Sequence, residues 1–552
     1  MNRLTESKVV CPHCWNSFYP DQALFISTHP QLYGDAVLGE HVHQRFSFAE
    51  VKRDRSGRVF DPKGGAITER ACPVCHLQVP RTLLTERPYF LSVVGAPKAG
   101  KTYFLTSMIH CIRDTLTRHF NLALEDSDSH EVKVFLEYEK SLFHPADPSR
   151  LTLLQKTQEH GDLYNTVHLD GAVVELPKPF IFTLRQSTPM PGNAARDSQL
   201  PTSIVLYDNA GESFQVLKET EDNSRVTQHL KRSNAVLFAY DPLQDPTIRR
   251  ELAGRSQDPQ LEKAAVNNRQ EHILKEAINR IRRHKSSLAM DDNQRIPAAL
   301  CVCVQKYDVW KPLIAQAIRA DGTYVRPRFD HEIPEEPVIC STVAGDIAGI
   351  DVEQINQMSL IVRNLLERTN PQFVALAESH FDTVRYFPVS ALGTSPQYEP
   401  HAVPASSSPR TLKVRPDLVR PSGVTHPLLW LFHRWGLVHH AAPKFKGADH
   451  YPHAQVDFIE GDRIRVISPL SNKVFVLDNE YAGCTIEDPH SGQRIWIPAI
   501  QRVASRSASK NPPPVPPRPG APSTASGTKV PESLKLGLDT PPKRRRFPWS
   551  RS

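Results

Sequence analysis

Gly95-Ala96-Pro97-Lys98-Ala99-Gly100-Lys101-Thr102 fits the pattern G-x-x-x-x-G-K-[ST], and its neighbours restrict the fold it can sit in. Before it, Tyr89-Phe90-Leu91-Ser92-Val93-Val94 reads as a buried strand; after it, Tyr103 to Phe120 has helical spacing. A strand, a glycine-rich turn and a helix N-terminus in that order make an anion cradle, in which backbone N–H groups face phosphate oxygens. In such a cradle Lys101 reaches the β- and γ-phosphates and the Thr102 hydroxyl ligates Mg²⁺. A nucleoside triphosphate is therefore the expected ligand. The alternative is a chance match in a glycine-rich turn, and it is weighed by what else the chain carries.

Ser203-Ile204-Val205-Leu206-Tyr207 is a second strand, ending in Asp208-Asn209-Ala210-Gly211. An aspartate there can hold Mg²⁺ through water, and a glycine three residues later lets a backbone N–H approach the γ-phosphate. A third apolar run, Ala298 to Val304, leads into Gln305-Lys306-Tyr307-Asp308. A carboxylate at 308 can accept both N1–H and N2–H₂ of guanine while the lysine stem lies along the base plane; adenine lacks that donor pair. The fourth piece, Val384 to Val389 followed by Ser390-Ala391-Leu392, offers a backbone N–H to the guanine O6. Ala235 to Tyr240, followed by Asp241-Pro242, fits a core strand between the second and third motifs.

In this order G-x-x-x-x-G-K-T, D-x-x-G, [NTQ]-K-x-D and S-A-x resemble the nucleotide-binding elements of the Ras-like and translational GTPases, over roughly residues 88 to 440. The resemblance implies an α/β P-loop fold with a mainly parallel sheet and GTP/GDP and Mg²⁺ as cofactors. It also implies a binding set of Gly95, Ala99, Gly100, Lys101, Thr102, Asp208, Gly211, Gln305, Lys306, Asp308, Ser390 and Ala391. Thr102 and Asp208 would serve the Mg²⁺, and Lys101 and Glu212 hold the catalytic positions. More narrowly, the cysteine-rich N-terminus, Asp208-Asn-Ala-Gly-Glu212 and the helix beginning Pro427-Leu-Leu-Trp-Leu-Phe432 are similar to bacterial "double-GTPase" proteins. Those are predicted from gene neighbourhoods to act beside a second GTPase in conflict or signalling systems, which implies a protein partner.

Two departures bear on the chemistry. Gln305 stands where the pattern usually has Asn, so guanine preference is less firmly built in. Glu212 follows Gly211 where Ras-like enzymes carry the glutamine that orients the attacking water, so unaided hydrolysis is expected to be slow. Thr152, Thr157 and Thr166 are equal candidates for the threonine that would complete the Mg²⁺ shell, and that position stays open.

Four of the nine cysteines form two tight pairs, Cys11-Pro12-His13-Cys14 and Cys72-Pro73-Val74-Cys75. Two such knuckles complete a tetrahedral Zn²⁺ site, giving a Cys₄ ribbon-like module. The 57 residues between them exceed a minimal ribbon, so an inserted hairpin or subdomain is expected. His41, His43 or His76 is the alternative ligand in place of one cysteine. A redox role for either pair lacks the βαβ surroundings it would need. Cys111, Cys301, Cys303, Cys340 and Cys484 read as free or buried thiols in a reducing compartment.

A zinc module invites a nucleic-acid reading, which the charge distribution argues against. Residues 503–552 hold ten Lys/Arg against Glu532 and Asp539, or +8, while the whole chain is +7, so the other 502 residues sum to −1. That tail, rich in Pro and Ser, is expected to be disordered. Pro513-Pro514-Val515-Pro516-Pro517-Arg518 fits P-x-x-P-x-R, a ligand for an SH3-like groove or a plain spacer. Lys543-Arg544-Arg545-Arg546-Phe547-Pro548-Trp549 offers weak electrostatic contact with acidic surfaces.

The expected organisation is a zinc-ribbon-like module (1–86), an α/β P-loop domain (87–440), a small β-rich appendage (450–503) and a disordered basic tail (504–552). Leu261 to Ser287 and Pro427 to Val438 have helical spacing. No stretch approaches ~18 consecutive apolar residues, so stable membrane insertion is not expected and the location is expected to be cytoplasmic. The functional reading is a guanine-nucleotide switch. Two others stay open: an ATPase, which would be indifferent to Asp308, and a nucleotide-bound scaffold that never releases phosphate.

Overall fold

The computed structural model describes residues 8–497 except 87, 128–129, 155–163, 170, 188–200, 209–227, 263–268, 286–293, 315–338, 342–347, 399–410, 439–451, 461–462, 479–484, 489 and 492–493. The sheet strands are β1 (Tyr89–Gly95), β2 (Leu122–Asp126), β3 (Phe180–Gln186), β4 (Thr202–Asp208), β5 (Ala235–Tyr240), β6 (Ile296–Val304) and β7 (Phe381–Pro388), of which all but β2 and β3 grow from the apolar runs of the sequence. They form one seven-stranded sheet in the order β2-β3-β4-β1-β5-β6-β7. From β4 to β7 every neighbour is parallel. At the other edge β3 pairs antiparallel with β4, and β2 antiparallel with β3. Parallel neighbours must be joined by crossovers. The helices α1 (Lys101–Phe120), α2 (His130–Phe143), α3 (Gln270–Lys285), α4 (Val352–Thr369), α5 (Pro371–His380) and α6 (His426–Arg434) lie between or after the strands. The fold is mixed α/β with a mostly parallel sheet.

A strand buried on both faces needs two covers, and β4 shows what they are. Ile204 and Leu206 face the main core with Phe104, Met108 and Phe182; the alternate residues Val205 and Tyr207 belong to a second core. Phe90 of β1 and Ile181 of β3 join that second core, and its other wall is made by Cys11, Cys14, Trp15, Phe18, Cys72, Cys75 and Val79. One face of β3, β4 and β1 is thus covered by the cysteine module together with the hairpin Tyr164–Leu169 and Ala172–Pro177, where a helix layer would otherwise be required.

The contact is specific as well as apolar. The Tyr207 hydroxyl donates to the Pro12 carbonyl and accepts from Trp15 Nε1 at 3.1 Å. Its ring stacks on His229 with centroids 4.5 Å apart, and His229 hydrogen-bonds Ser92 of β1. Burial pushes the His229 imidazole down to about 3, so at neutral pH this ring sits in the core uncharged. Replacing Tyr207 by Phe keeps the stacking but strands a buried indole N–H and a buried carbonyl. We expect a loss of about 1–3 kcal/mol, read as a lower urea midpoint; an unchanged midpoint would show the junction to be apolar only.

Within the module, short antiparallel pairs flank each knuckle, Val9–Val10 with Ser17–Phe18 and Arg70–Ala71 with Gln78–Val79. The long connection carries a hairpin, Tyr33–Asp35 with Gly39–His43, and a three-stranded sheet of Lys52–Arg53, Val59–Phe60 and Ala66–Ile67, as its length required.

Two helices differ from expectation in extent. The helix expected from Leu261 begins at Gln270. The Arg249 guanidinium binds the Gln260 and Leu261 carbonyls, and Asp258 Oδ1 accepts from Gln260 N, which fixes 258–261 as a turn. The Pro427 helix spans His426–Arg434 and is buried from His426 through Phe432, so it closes the main core and presents no free apolar face. Residues 455–478 form a three-stranded antiparallel sheet, joined by the hairpin Thr485–Glu487 with Arg494–Trp496 over a small core of Ile464, Val466, Leu477 and Ile495. The tail motifs beyond 497 lie outside the described residues. Among the described residues no helix is long and apolar enough to cross a membrane.

Candidate functional site

Parallel strands end together, and ligands of such sheets collect at those carboxyl ends. Here the register pairs Gly95 with Ala239, Val93 with Asp208, and Val304 with both Tyr240 and Pro388, so the four sequence motifs emerge on one edge. The first glycine is required by packing: a Cβ on Gly95 would stand 2.6 Å from the Ala239 carbonyl oxygen. In the loop Lys98 and Gly100 take left-handed conformations, φ 62° and 86°, which alternate the direction of successive N–H groups and shape an anion-binding concavity. Gly100 is then the N-cap of α1.

Lys101 is buried, and its Nζ donates to the carbonyls of Gly95 and Ala96 at 3.2 and 3.0 Å. Thr102 Oγ1 donates to Asp208 Oδ2 at 3.2 Å, which brings together the two residues expected to serve Mg²⁺. A hydroxyl and a carboxylate are the hard oxygen donors such a cation uses. Gly211 and Glu212 lie outside the described residues, as does Thr157. Thr152 is bridged to Val414, beside the cleft, and Thr166 is exposed on a hairpin.

A cleft of about 180 Å³ opens beside the loop. Lys98, Ala99 and Gly100 form one wall, Gln305, Lys306 and Asp308 another, and Ser390, Ala391 and Leu392 a third. Ser390 Oγ donates to Asp308 Oδ1, and Ser107 of α1 donates to the Ala391 carbonyl at 2.7 Å, so the third wall is tied to both others. Burial pushes the Asp308 carboxyl above its ordinary range, opposed by the Ser390 hydrogen bond. The cleft therefore holds an acceptor poor in solvent and oriented by its neighbour.

The third motif departs from expectation in its side chains. Gln305 Nε2 donates to the Cys303 carbonyl of its own strand at 3.2 Å, so the longer amide does not reach the loop. Lys306 Nζ pairs with both oxygens of Asp241, at 2.9 and 2.8 Å. Asp241 also accepts from Gln244 Nε2 at 3.0 Å, and the same amide donates to the Pro97 carbonyl at 3.0 Å. Asp241 and Gln244 thus brace the glycine-rich loop to the third motif. The sequence marked Asp241 only as the residue after a core strand and assigned no role to either. The signal for Asp241 was its position just past the end of β5, where Asp208 stands on β4.

The four module cysteines are buried and bring their Sγ atoms within 4.8 Å of one another. Cys11 and Cys75, and Cys14 and Cys72, have Sγ atoms 3.7 Å apart. A disulfide would hold them at about 2.05 Å. A tetrahedron of thiolates about 2.3 Å from zinc has an edge of about 3.8 Å, which the observed spacing matches. Both knuckles share one pattern: His13 N and Val74 N donate to Cys11 Sγ and Cys72 Sγ at 3.4 Å, and the residues after each pair, Trp15 and His76, have φ 58°. The cluster could hold zinc. Among the described residues the clustered ligand atoms are the four cysteine thiols alone; His76 is outside the group, with its Nδ1 paired to Asp35 at 2.9 Å.

The molecule is thus a mixed α/β protein with a loop-lined cleft at the sheet's carboxyl edge and a Cys₄ cluster docked on the sheet. No protein-family model matches the chain, and no curated protein matches it.

Proposed function

We propose that the chain is a guanine-nucleotide-binding switch of the P-loop GTPase class, resembling the Ras-like and translational enzymes, that hydrolyses GTP slowly to GDP and phosphate. The carrying observation is the cleft itself, which gathers Ala99 and Gly100, Lys306 and Asp308, and Ser390 and Ala391 from three distant stretches of sequence. Asp308 accepts the N1–H and N2–H₂ donors of guanine; the Ala391 N–H meets O6; the loop N–H groups and Lys101 take the phosphates. When bound, Mg²⁺ would neutralise charge between the β- and γ-phosphates, held through Thr102 and Asp208. The Cys₄ module carries a structural Zn²⁺ and offers the surface on which a protein partner, in this reading a second GTPase, is gripped.

The test is a titration with fluorescent GTP, GDP, ATP, ADP and xanthosine triphosphate, comparing wild type with Asp308→Asn. Wild type is expected to prefer guanine. The variant is expected to lose guanine affinity by roughly 10²-fold and to take xanthine, whose 2-oxo group matches the amide donor. Adenine binding that equals guanine binding and ignores the substitution would sink the proposal in favour of a P-loop ATPase.

A further inference from the structure

Guanine presents three adjacent N–H donors on the edge that meets Asp308, one at N1 and two on the 2-amino group. A single carboxylate facing that edge accepts two of them, and the third, the outer amino hydrogen, needs another acceptor or water. The cleft contains a second carboxylate. Asp258, from the turn between the short helix Pro246–Leu252 and α3, lines the cleft with Asp308. The same two aspartates also border the adjoining hollow with Thr394 and Pro396.

Asp258 is only 3% exposed. Its Oδ1 accepts from Gln260 N at 2.7 Å, while its Oδ2 is shielded from solvent and has no hydrogen-bond partner among the described residues. A buried carboxylate oxygen without a donor is costly, so such groups are normally matched. Its charge is also felt at Asp308, where it adds to the upward push of burial. Two acids lining one cleft disfavour each other's charge until donors come to them, and a purine edge with three N–H groups supplies donors to both.

We propose that Asp258 is a second base-recognition residue, whose Oδ2 accepts the outer hydrogen of the guanine 2-amino group. It makes the site selective for a free 2-amino group, beyond the guanine-over-adenine choice made by Asp308. The inference rests on the guanine reading above. It separates GTP from inosine triphosphate, which lacks the 2-amino group, and from N2-methyl-GTP, which keeps one of its two hydrogens.

The experiment measures affinities of wild-type protein and Asp258→Asn for GTP, inosine triphosphate and N2-methyl-GTP. Wild type is expected to bind N2-methyl-GTP roughly 10- to 100-fold more weakly than GTP, the worth of one hydrogen bond to a charged acceptor. In the variant the single amide oxygen is occupied by the Gln260 N–H, so GTP should weaken by a similar factor and its advantage over N2-methyl-GTP should vanish. Equal wild-type affinity for GTP and N2-methyl-GTP overturns the inference without any variant, which covers the case in which Asp258→Asn fails to fold. A GTP preference that survives unchanged in a folded variant also overturns it. Failure to bind guanine nucleotides at all, by contrast, removes the underlying reading.

Discussion

Replacing Cys72 by serine is expected to abolish zinc binding, lower the thermal midpoint by about 10 °C or more, and weaken nucleotide binding at a site the substitution does not touch. A structural Zn²⁺ site contributes on the order of 10 kcal/mol of binding free energy, and that energy is available only to the folded module. Cys72 is fully buried and its Sγ stands 3.7 Å from Cys14 Sγ, so serine removes one of the four clustered thiols. The damage is not confined to the module, because the knuckles, Trp15 and Phe18 share one core with Phe90, Val205 and Tyr207 of the sheet. Exposing those three would leave the sheet with an uncovered apolar face, so aggregation should accompany the loss. The coupling to the cleft is short: Tyr207, which donates to the Pro12 carbonyl, immediately precedes Asp208, which accepts from Thr102. The measurements are metal content by mass spectrometry, thermal unfolding and nucleotide affinity of one preparation. One zinc per chain retained in the variant, with an unchanged midpoint, would overturn the zinc assignment.

Lys101→Ala is expected to reduce triphosphate affinity by about 10²- to 10³-fold while leaving the far-ultraviolet circular dichroism unchanged. The ammonium would make charge-assisted hydrogen bonds to two phosphate groups, each worth about 1.5–3 kcal/mol. Among its partners are the Gly95 and Ala96 carbonyls, weaker acceptors than a phosphate, which a ligand would displace. Alanine is a good helix former at this first position of α1, and the helix keeps its buried face of Phe104, Leu105, Met108 and Ile112. A variant that binds GTP as tightly as wild type would show that the loop does not hold the phosphates.

Most of the sheet was legible because its strands are short, apolar and bounded by the motifs. Ala235 to Tyr240 is the strand expected; the runs at Tyr89, Ser203 and Ala298 gain one or two residues at an end, the run at Val384 starts at Phe381 and stops at Pro388, and the antiparallel edge strands β2 and β3 were not read from the sequence. Buried parallel strands lack alternation and announce themselves as continuous runs. The Cys₄ cluster was legible for a different reason, since two C-P-x-C turns allow few other uses. What was not legible depends on side chains meeting across long separations. Nothing local to Gln244 marks it as a bond to Pro97, and nothing near Asp258 marks it as a neighbour of Asp308. The start of α3 was misplaced because Arg249, from another helix, captures the carbonyls that a longer helix would have used.

The sequence by itself determined the parallel strands and the chemistry of their ends: a glycine-rich turn from Gly95 to Gly100 opening a helix, an aspartate closing β4, and thiols paired at knuckle spacing. These are constraints within a few residues, and local sterics and periodicity settle them. Only the tertiary structure decided that the cysteine module and a hairpin replace a helix layer on one face of the sheet, that Lys306 is held by Asp241, and that a second aspartate lines the cleft. Each of those depends on which surfaces must be buried together once the chain is compact, a property of the whole fold that no local pattern encodes.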